Sequence, residues 1–273
     1  MKHFLTYPQR EKVRPSQLAD WLLARGIGSI TTDEAAEIMS IDRAQVRISL
    51  APSRQKGHFV SPARGLWIPV SPENRLTQVL DPLSYIDPMM KKLERQYCIG
   101  WLSAAALYGV SHQAPQVFQV ATDKHVTSRS VGRSQLKFLT REDVSCIPSS
   151  RVARSQGMAQ VATPAATMFM LAEDLMEAGG LDNAATVIVE LAEECPEAVN
   201  ALVNCSQFFS LAAARRVGWI LDTFGEGFDT DSLAEYCASR NNAISILSPY
   251  SERKGELSDR WSLRLNRKVD PDL

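Results

Sequence analysis

The apolar residues near the start of the chain follow the spacing of a short amphipathic helix. Leu18 and Leu22 are four residues apart and therefore share one helical face. Ser16 precedes them as a candidate N-cap, and Gly26 follows them as a candidate C-terminal stop. The pattern predicts a first helix between Ser16 and Gly26.

Two more helix starts follow in quick succession. Thr31 and Glu34 have capping-box spacing, in which each side chain satisfies a backbone N–H group of the other residue. Asp42 and Gln45 repeat this spacing. Two capped helices joined by a short link are typical of a helix-turn-helix. The apolar residues expected to form their shared core are Ala35, Ile38, Ile41, Val46 and Leu50.

Two short apolar runs around a turn follow the third helix. Residues 58–61 and 66–70 flank the Pro/Gly turn at residues 62–65, which predicts a β-hairpin, the wing of a winged helix. Pro52 is expected to stop or kink the third helix near Leu50, because proline removes an intrahelical hydrogen bond.

The rest of the chain divides into a mixed part and a helical part. Prolines among polar residues at 69–88 predict a semi-extended connector. A helix is expected at 102–107, ended by Gly109. Strands are expected at 117–122, 136–140 and 159–163, and further helices at 165–178, 182–194, 197–205 and 208–223.

The predicted fold class is α+β. A winged helix-turn-helix is expected first, followed by a C-terminal α+β domain with a helical subdomain. The predicted boundaries are 1–72 for the winged helix-turn-helix domain, 73–90 for the linker and 91–273 for the C-terminal domain, with a small sheet at 97–165 and the helical part at 165–240.

Charge is unevenly distributed along the chain. The formal net charge of the 273 residues is -1, but residues 1–70 carry +4, residues 71–150 carry +2 and residues 151–273 carry -7. A basic start favours an anionic partner such as nucleic acid, although chance unevenness of surface charge would give the same pattern.

Motifs for catalysis or metal binding are not found. The five cysteines form no CxxC pair, which favours reduced thiols in the cytoplasm. The four histidines lack metal-ligand spacing, and neither a phosphate-binding glycine loop nor a GxSxG string occurs. We therefore expect no catalytic residue, metal or cofactor, and no membrane span.

Candidate DNA-contacting residues lie on the third helix and the hairpin. Guanidinium and carboxamide groups pair with base edges in the major groove, and flanking cations contact phosphate. The alternative is that these are solvated cations or that the domain contacts protein. The base-edge candidates are Arg43, Gln45 and Arg47, and the phosphate or minor-groove candidates are Arg54, Lys56 and Arg64.

Several segments together resemble one family. The stretches carrying the resemblance are residues 56–59 (KGHF), 63–67 (ARGLW), 97–110 (YCIGWLSAAALYGV), 112–115 (HQAP), 213–221 (AARRVGWIL) and 261–266 (WSLRLN). The order of these segments after a helix-turn-helix is similar to that of AbiEi-family antitoxins, over nearly the whole chain.

The resemblance implies an antitoxin of a bicistronic toxin-antitoxin system used in abortive infection, a form of phage defence. It implies a winged domain that represses the shared operon by binding inverted repeats in the duplex. It further implies that the C-terminal domain neutralises an AbiEii-like nucleotidyltransferase toxin, without requiring a stable complex.

A candidate antitoxin surface lies among the later basic residues. In an apolar helix, Arg215 and Arg216 are expected either to pair with nearby acids or to form an exposed anion-binding spot. Lys124, Arg129 and Arg133 are expected to extend that surface, or else to be a solvated face. Two other functions stay open: a ligand-responsive winged-helix repressor without a toxin, and an enzyme acting on nucleic acid or nucleotides.

Overall fold

The computed structural model describes residues 12–110, 117–154, 157–241 and 243–273. The chain has a mixed α+β fold with several sheets. It divides into two compact units, and the first contains the residues up to Glu94 together with Arg129–Gln135 and Ala153–Met158. The second unit contains Arg95–Ser128, Leu136–Val152 and Ala159–Leu273.

Three helices and a small antiparallel sheet form most of the first unit. The sheet has the order β1-β3-β2, with Ile30 opposite Trp67 and Val60 opposite Ile68. The predicted core residues Ala35, Ile38, Val46 and Leu50 are buried, and Ile41 packs against them. The elements in chain order are α1 (Leu18–Leu23), β1 (Ile30–Thr31), α2 (Thr32–Met39), α3 (Arg43–Gln55), β2 (Phe59–Val60) and β3 (Leu66–Pro69).

Only one of the three predicted helix caps forms. The Thr31 hydroxyl accepts a hydrogen bond from the Glu34 amide at 3.2 Å, and the Thr31 amide donates to the Glu34 carboxylate at 2.7 Å, so the capping box is confirmed. Asp42 begins α3, but its side chain makes no cap hydrogen bond. The predicted cap at Ser16 is wrong, because Gln17 occupies that position of α1 and makes no side-chain cap either.

Helix α3 continues past Pro52 to Gln55, so the predicted stop near Leu50 is wrong. Proline at this position withholds a donor from the carbonyl group of Ile48, four residues earlier. Ile48 is 76% exposed, which leaves that side of the helix open to water. Loss of this hydrogen bond therefore costs little free energy, because water can reach the carbonyl group. The helix ends three residues after Pro52.

The segment between residues 72 and 94 is folded and is not a semi-extended connector. Pro72 and Pro82 each open a 3-10 turn, Pro72–Asn74 and Pro82–Ser84, where proline needs no amide donor. Helix α4 (Ile86–Leu93) follows and buries Ile86, Met89 and Met90. These apolar side chains hold the segment within the first unit.

A mixed sheet organises the first part of the second unit. Its order is β6-β7-β5-β4-β9-β8, with β4 antiparallel to β5 and parallel to β9. The predicted helix at 102–107 and the three predicted strands are confirmed, whereas β4, β6 and β8 were not predicted. The elements are β4 (Tyr97–Ile99), α5 (Trp101–Leu107), β5 (Val117–Thr122), β6 (Arg129–Val131), β7 (Ser134–Thr140), β8 (Ser149–Arg154) and β9 (Gly157–Ala162).

Helices pack around a largely apolar, buried central helix in the remainder of the second unit. Residues 165–172 of α6 are all buried, and α6 packs against α5, α7 and α10. None of the described helices has both the length and the apolar composition of a membrane span. The elements are α6 (Pro164–Glu173), α7 (Leu181–Glu194), α8 (Glu197–Asn200), α9 (Leu202–Ser206), α10 (Leu211–Phe224), α11 (Asp231–Arg240), β10 (Ser245–Ile246), β11 (Glu256–Ser258) and β12 (Leu263–Leu265).

Candidate nucleic-acid interface

Helix α3 presents most of its circumference to solvent. It buries a narrow stripe formed by Val46, Leu50 and Ser53, which packs towards α2 and β2. Ile48 lies on the opposite side and is exposed. Such a helix, covered on one side only, has a broad face free to contact a partner.

Three arginines form a row along one edge of this face. Because each residue turns an α-helix by about 100°, Arg43, Arg47 and Arg54 lie within about 40° of one another. All three are exposed. Gln45 and Lys56 are also exposed, but Gln45 projects about 200° from Arg43 and so lies at the opposite edge. The structure thus groups the three arginines and separates Gln45 from them.

The first arginine of the row forms an ion pair on the surface. Arg43 Nε lies 3.0 Å from the Asp33 carboxylate, with 70% and 57% of the two side chains exposed. Exposed pairs of this kind contribute about 0–1 kcal/mol. Arg43 can therefore exchange Asp33 for another anion at little cost.

The β2–β3 hairpin is fastened to the start of α2. The Thr32 amide donates to the Gly65 carbonyl oxygen at 3.0 Å, and Trp67 Nε1 donates to the Thr32 hydroxyl at 3.1 Å. Gly65 has φ +79°, a conformation that favours glycine. Its neighbour Arg64 is exposed in the connecting turn. The contacts thus hold a cation at a fixed loop of the first unit.

Arg54 borders a small polar pocket within the first unit. The pocket has a volume of about 140 Å³, and its lining includes Ser61, Gln78, Ser130 and Gly132. Ser130 and Gly132 come from the stretch Arg129–Gln135, which is part of this unit.

The candidate antitoxin residues are divided between the two units. Arg129 Nη1 donates to the carbonyl oxygen of Pro62 at 3.1 Å, and the exposed Arg133 lies in the same stretch of the first unit. Lys124 is exposed and belongs to the second unit. Sequence proximity therefore joined residues that the fold assigns to different units.

Arg215 and Arg216 are buried, so the expected exposed spot is wrong. Arg215 is 1% exposed and donates to the carbonyl oxygens of Asn241 and Ala243. The expected pairing with acids is also wrong, because the acceptors are backbone carbonyl groups and the Ser245 hydroxyl. Burial lowers the pKa of both guanidinium groups.

Arg216 makes the same kind of contact with two other segments. Its guanidinium donates to the carbonyl oxygens of Ala172, Ile246 and Leu247 at 2.8–2.9 Å. The two arginines thus join α10 to α6 and to the chain around β10, which is a structural role.

A polar network in the second unit escaped sequence analysis. Trp101 is buried and its backbone has φ +50°. Its indole N–H group donates to the Asp174 carboxylate at 3.0 Å. Burial raises the pKa of Asp174. Arg141 donates to Glu173 at 2.6 Å and to the Phe208 carbonyl oxygen at 3.1 Å. Neither contact has a local sequence signal, because the partners are distant in the chain.

The described residues contain no metal-binding cluster, and their cysteines form no disulfide. No cluster of three His, Cys, Asp or Glu side chains there could hold a metal ion. The five cysteines are free thiols, and burial raises the pKa of Cys98 to about 12. His3 and the HQAP segment at 112–115 lie outside the described residues.

Two comparisons with known proteins give a match, one over part of the chain and one over nearly all of it. Residues 98–223 match the family described as AbiEi antitoxin C-terminal domain. A crystal structure of the RV2827C protein from Mycobacterium tuberculosis is similar in fold, with a TM-score of 0.65 and 14% identity over 94% of this chain and 92% of that chain. No curated protein matches this sequence.

Proposed function

We propose, from the membership of residues 98–223 in the AbiEi antitoxin family, that this chain neutralises a toxin and represses its own operon. The match to this family supports an antitoxin role in a toxin-antitoxin system. The two activities are the further step, and they belong to different units of the chain.

Operon repression is assigned to the first unit, which we interpret as a winged helix-turn-helix. Helices α2 and α3 pack together across a three-residue link, and β2 and β3 form a hairpin beside them. The observation that carries the proposal is the arginine row on the exposed face of α3. Guanidinium groups at this spacing suit a helix that enters the major groove of an inverted repeat.

The contacts divide into two kinds. Arg43 and Arg47, near the start of α3, are assigned to base edges, and Gln45 to a base at the other side of the helix. Arg54, Lys56 and Arg64 are assigned to phosphates, which orient the protein without reading sequence.

Toxin neutralisation is assigned to the second unit. Most of the family match, residues 98–223, lies there. An AbiEii-like nucleotidyltransferase is the proposed partner in the cytoplasm. Lys124 is the one member of the predicted antitoxin surface that is exposed and belongs to this unit. We keep it as a candidate contact.

The double substitution Arg43→Ala with Arg47→Ala tests this division. We expect loss of mobility-shift binding to the promoter duplex, with rescue of growth from the co-expressed toxin unchanged. A matched control, Arg151→Ala with Lys268→Ala, removes two exposed cations of the second unit and should leave promoter binding intact. Unchanged binding by the first variant, or loss of rescue, would contradict the assignment.

A ligand-responsive repressor is the second candidate. It is favoured by a groove of about 620 Å³ in the second unit, whose lining includes Trp219, Phe224 and Leu265. A nucleotidyltransferase-like reading frame beside this gene supports the antitoxin proposal. Its absence, together with release of DNA by a small molecule, supports the repressor.

A further inference from the structure

The turn between β6 and β7 belongs to the first unit and carries one cation, Arg133. We propose that this turn, residues 131–134, is a second DNA contact that binds a backbone phosphate beside the one reached by α3. The inference rests on the proposed promoter binding and extends it to a segment that sequence analysis placed on the antitoxin surface.

The turn is held firmly by the first unit. The Arg133 amide donates to the Gln78 carbonyl oxygen at 3.1 Å, and the Ser134 hydroxyl donates to the Leu80 carbonyl oxygen at 2.9 Å. Arg129 reaches the carbonyl oxygen of Pro62, in the turn of the β2–β3 hairpin. The three bonds hold the turn and the preceding strand β6 against Pro62, Gln78 and Leu80 of the first unit.

Gly132 makes this close approach possible. Its φ is +59°, and a Cβ atom at this position would lie 2.2 Å from the Gln78 carbonyl oxygen. Any other residue would combine backbone strain with a clash against backbone, which cannot give way as a side chain could. Substitution here should therefore displace the turn from the first unit.

The chemistry around the turn suits an anion. The stretch Arg129–Gln135 contains two arginines and no acidic residue. Arg54, the last member of the α3 row, shares the polar pocket of about 140 Å³ with Ser130 and Gly132. A phosphodiester oxygen at the mouth of this pocket would meet the Arg54 guanidinium, and the exposed Arg133 would lie beside the same strand.

The ligand is thus the sugar-phosphate backbone of a duplex, independent of sequence. Each phosphate contact releases counterions, and the binding constant falls with a log-log slope of about 0.9 per contact. Loss of one contact should weaken operator and unrelated duplexes by the same factor. It should also make binding less sensitive to salt.

Fluorescence titration of the full chain measures both effects. Operator and unrelated duplexes are titrated from 50 to 300 mM NaCl with the wild-type protein, Arg133→Ala and the control Lys268→Ala. We expect Arg133→Ala to weaken both duplexes by up to about eightfold near 0.1 M salt and to reduce the slope by about one. Lys268→Ala, which removes an equal charge from the second unit, should change neither duplex.

A glycine pair separates displacement of the turn from general strain. Gly132→Ala should weaken both duplexes as Arg133→Ala does. Gly26→Ala is the matched control, because Gly26 lies in the same unit at φ +66° with nothing within 4 Å of its Cβ position. It should retain full affinity, and thermal melting verifies that all variants are folded.

Three outcomes overturn the inference. Wild-type affinity and slope in folded Arg133→Ala refute the turn contact while leaving promoter binding standing. Failure of the wild-type chain to bind its promoter refutes the proposed function as well. Loss of toxin rescue in Arg133→Ala, with DNA binding retained, assigns the turn to the toxin partner.

Discussion

Buried polar side chains show how single residues hold the second unit together. The Trp101 indole is buried at a positive φ, and its N–H group has the Asp174 carboxylate as its acceptor. A buried donor without an acceptor costs about 1–3 kcal/mol. The carboxylate meets that need, but its own burial disfavours the charged form and raises its pKa.

Replacing Asp174 separates these two effects. Asp174→Asn keeps an oxygen acceptor and removes the charge, so we expect the free energy of unfolding at pH 7 to stay equal or rise. Asp174→Ala should lower it by about 1–3 kcal/mol, because the indole N–H is left without a partner. Urea unfolding at pH 7 measures both variants, and equal losses in the two would contradict this explanation.

The raised pKa of Asp174 also sets a direction with pH. The folded state binds the proton more readily than the unfolded state does, so this group stabilises most below its unfolded pKa. That stability is lost as pH rises through the folded pKa. As pH falls from 7 towards 4, the free energy of unfolding of the wild-type chain should therefore rise relative to that of Asp174→Asn. A difference between the two that stays constant with pH would contradict this prediction.

Residue identity alone did not reveal burial at Arg215 and Arg216. Their neighbours are apolar on both sides, which fits a helix covered all round as well as one with a charged edge. The acceptors are carbonyl groups and one serine hydroxyl, all at least 26 positions away, and nothing in local spacing reports them. Gly218 is similar, because the Trp261 ring that lies 2.0 Å from its Cβ position is remote in sequence.

At the scale of elements, local chemistry predicted helices better than strands. The capping box at Thr31, the helix at 102–107 and the strand at 117–122 each have a signal within a few residues. Strands β1 and β10 have two residues each, too few to show an alternating pattern. Their pairing depends on partners elsewhere, which sequence spacing does not contain.

Pro52 offers a test of how an element tolerates an unfavourable residue. Pro52→Ala supplies an amide donor to the Ile48 carbonyl group and a better helix former, so we expect the free energy of unfolding to rise by at most about 3 kcal/mol. Chemical denaturation measures the change. A decrease in the free energy of unfolding would mean that proline stabilises the C-terminal end of α3. Ala51→Gly, at another exposed position of the helix, is the control and should lower the free energy of unfolding.

At the scale of the whole molecule, the first unit is assembled from separate parts of the sequence. Leu80 and Val131 are both buried, although about fifty positions separate them. The predicted boundary near residue 72 followed composition, which reports exposed connectors but not contacts between distant segments. No local sequence pattern indicates that residues 129–135 and 153–158 complete the first unit.

A fragment ending at Glu94 should therefore be incomplete. It lacks Arg129–Gln135, so the carbonyl groups of Gln78 and Leu80 lose their donors and Leu80 loses part of its cover. We expect faster amide hydrogen exchange at residues 74–80 in the fragment than in the full chain. Exchange across α2 and α3 is the internal control, and equal rates at 74–80 would show that the later stretch contributes nothing.

The split composition of the first unit limits how such genes can recombine. A crossover at the codon for residue 94 would join residues 1–94 of one protein to the remainder of a homologue. The first unit would then contain residues 129–135 and 153–158 from the homologue. In such a chimaera, the residue at position 132 would come from a different protein than the backbone at residue 78 that Gly132 approaches closely. Under the proposed function, the preference for a promoter and the preference for a toxin should then be inherited together.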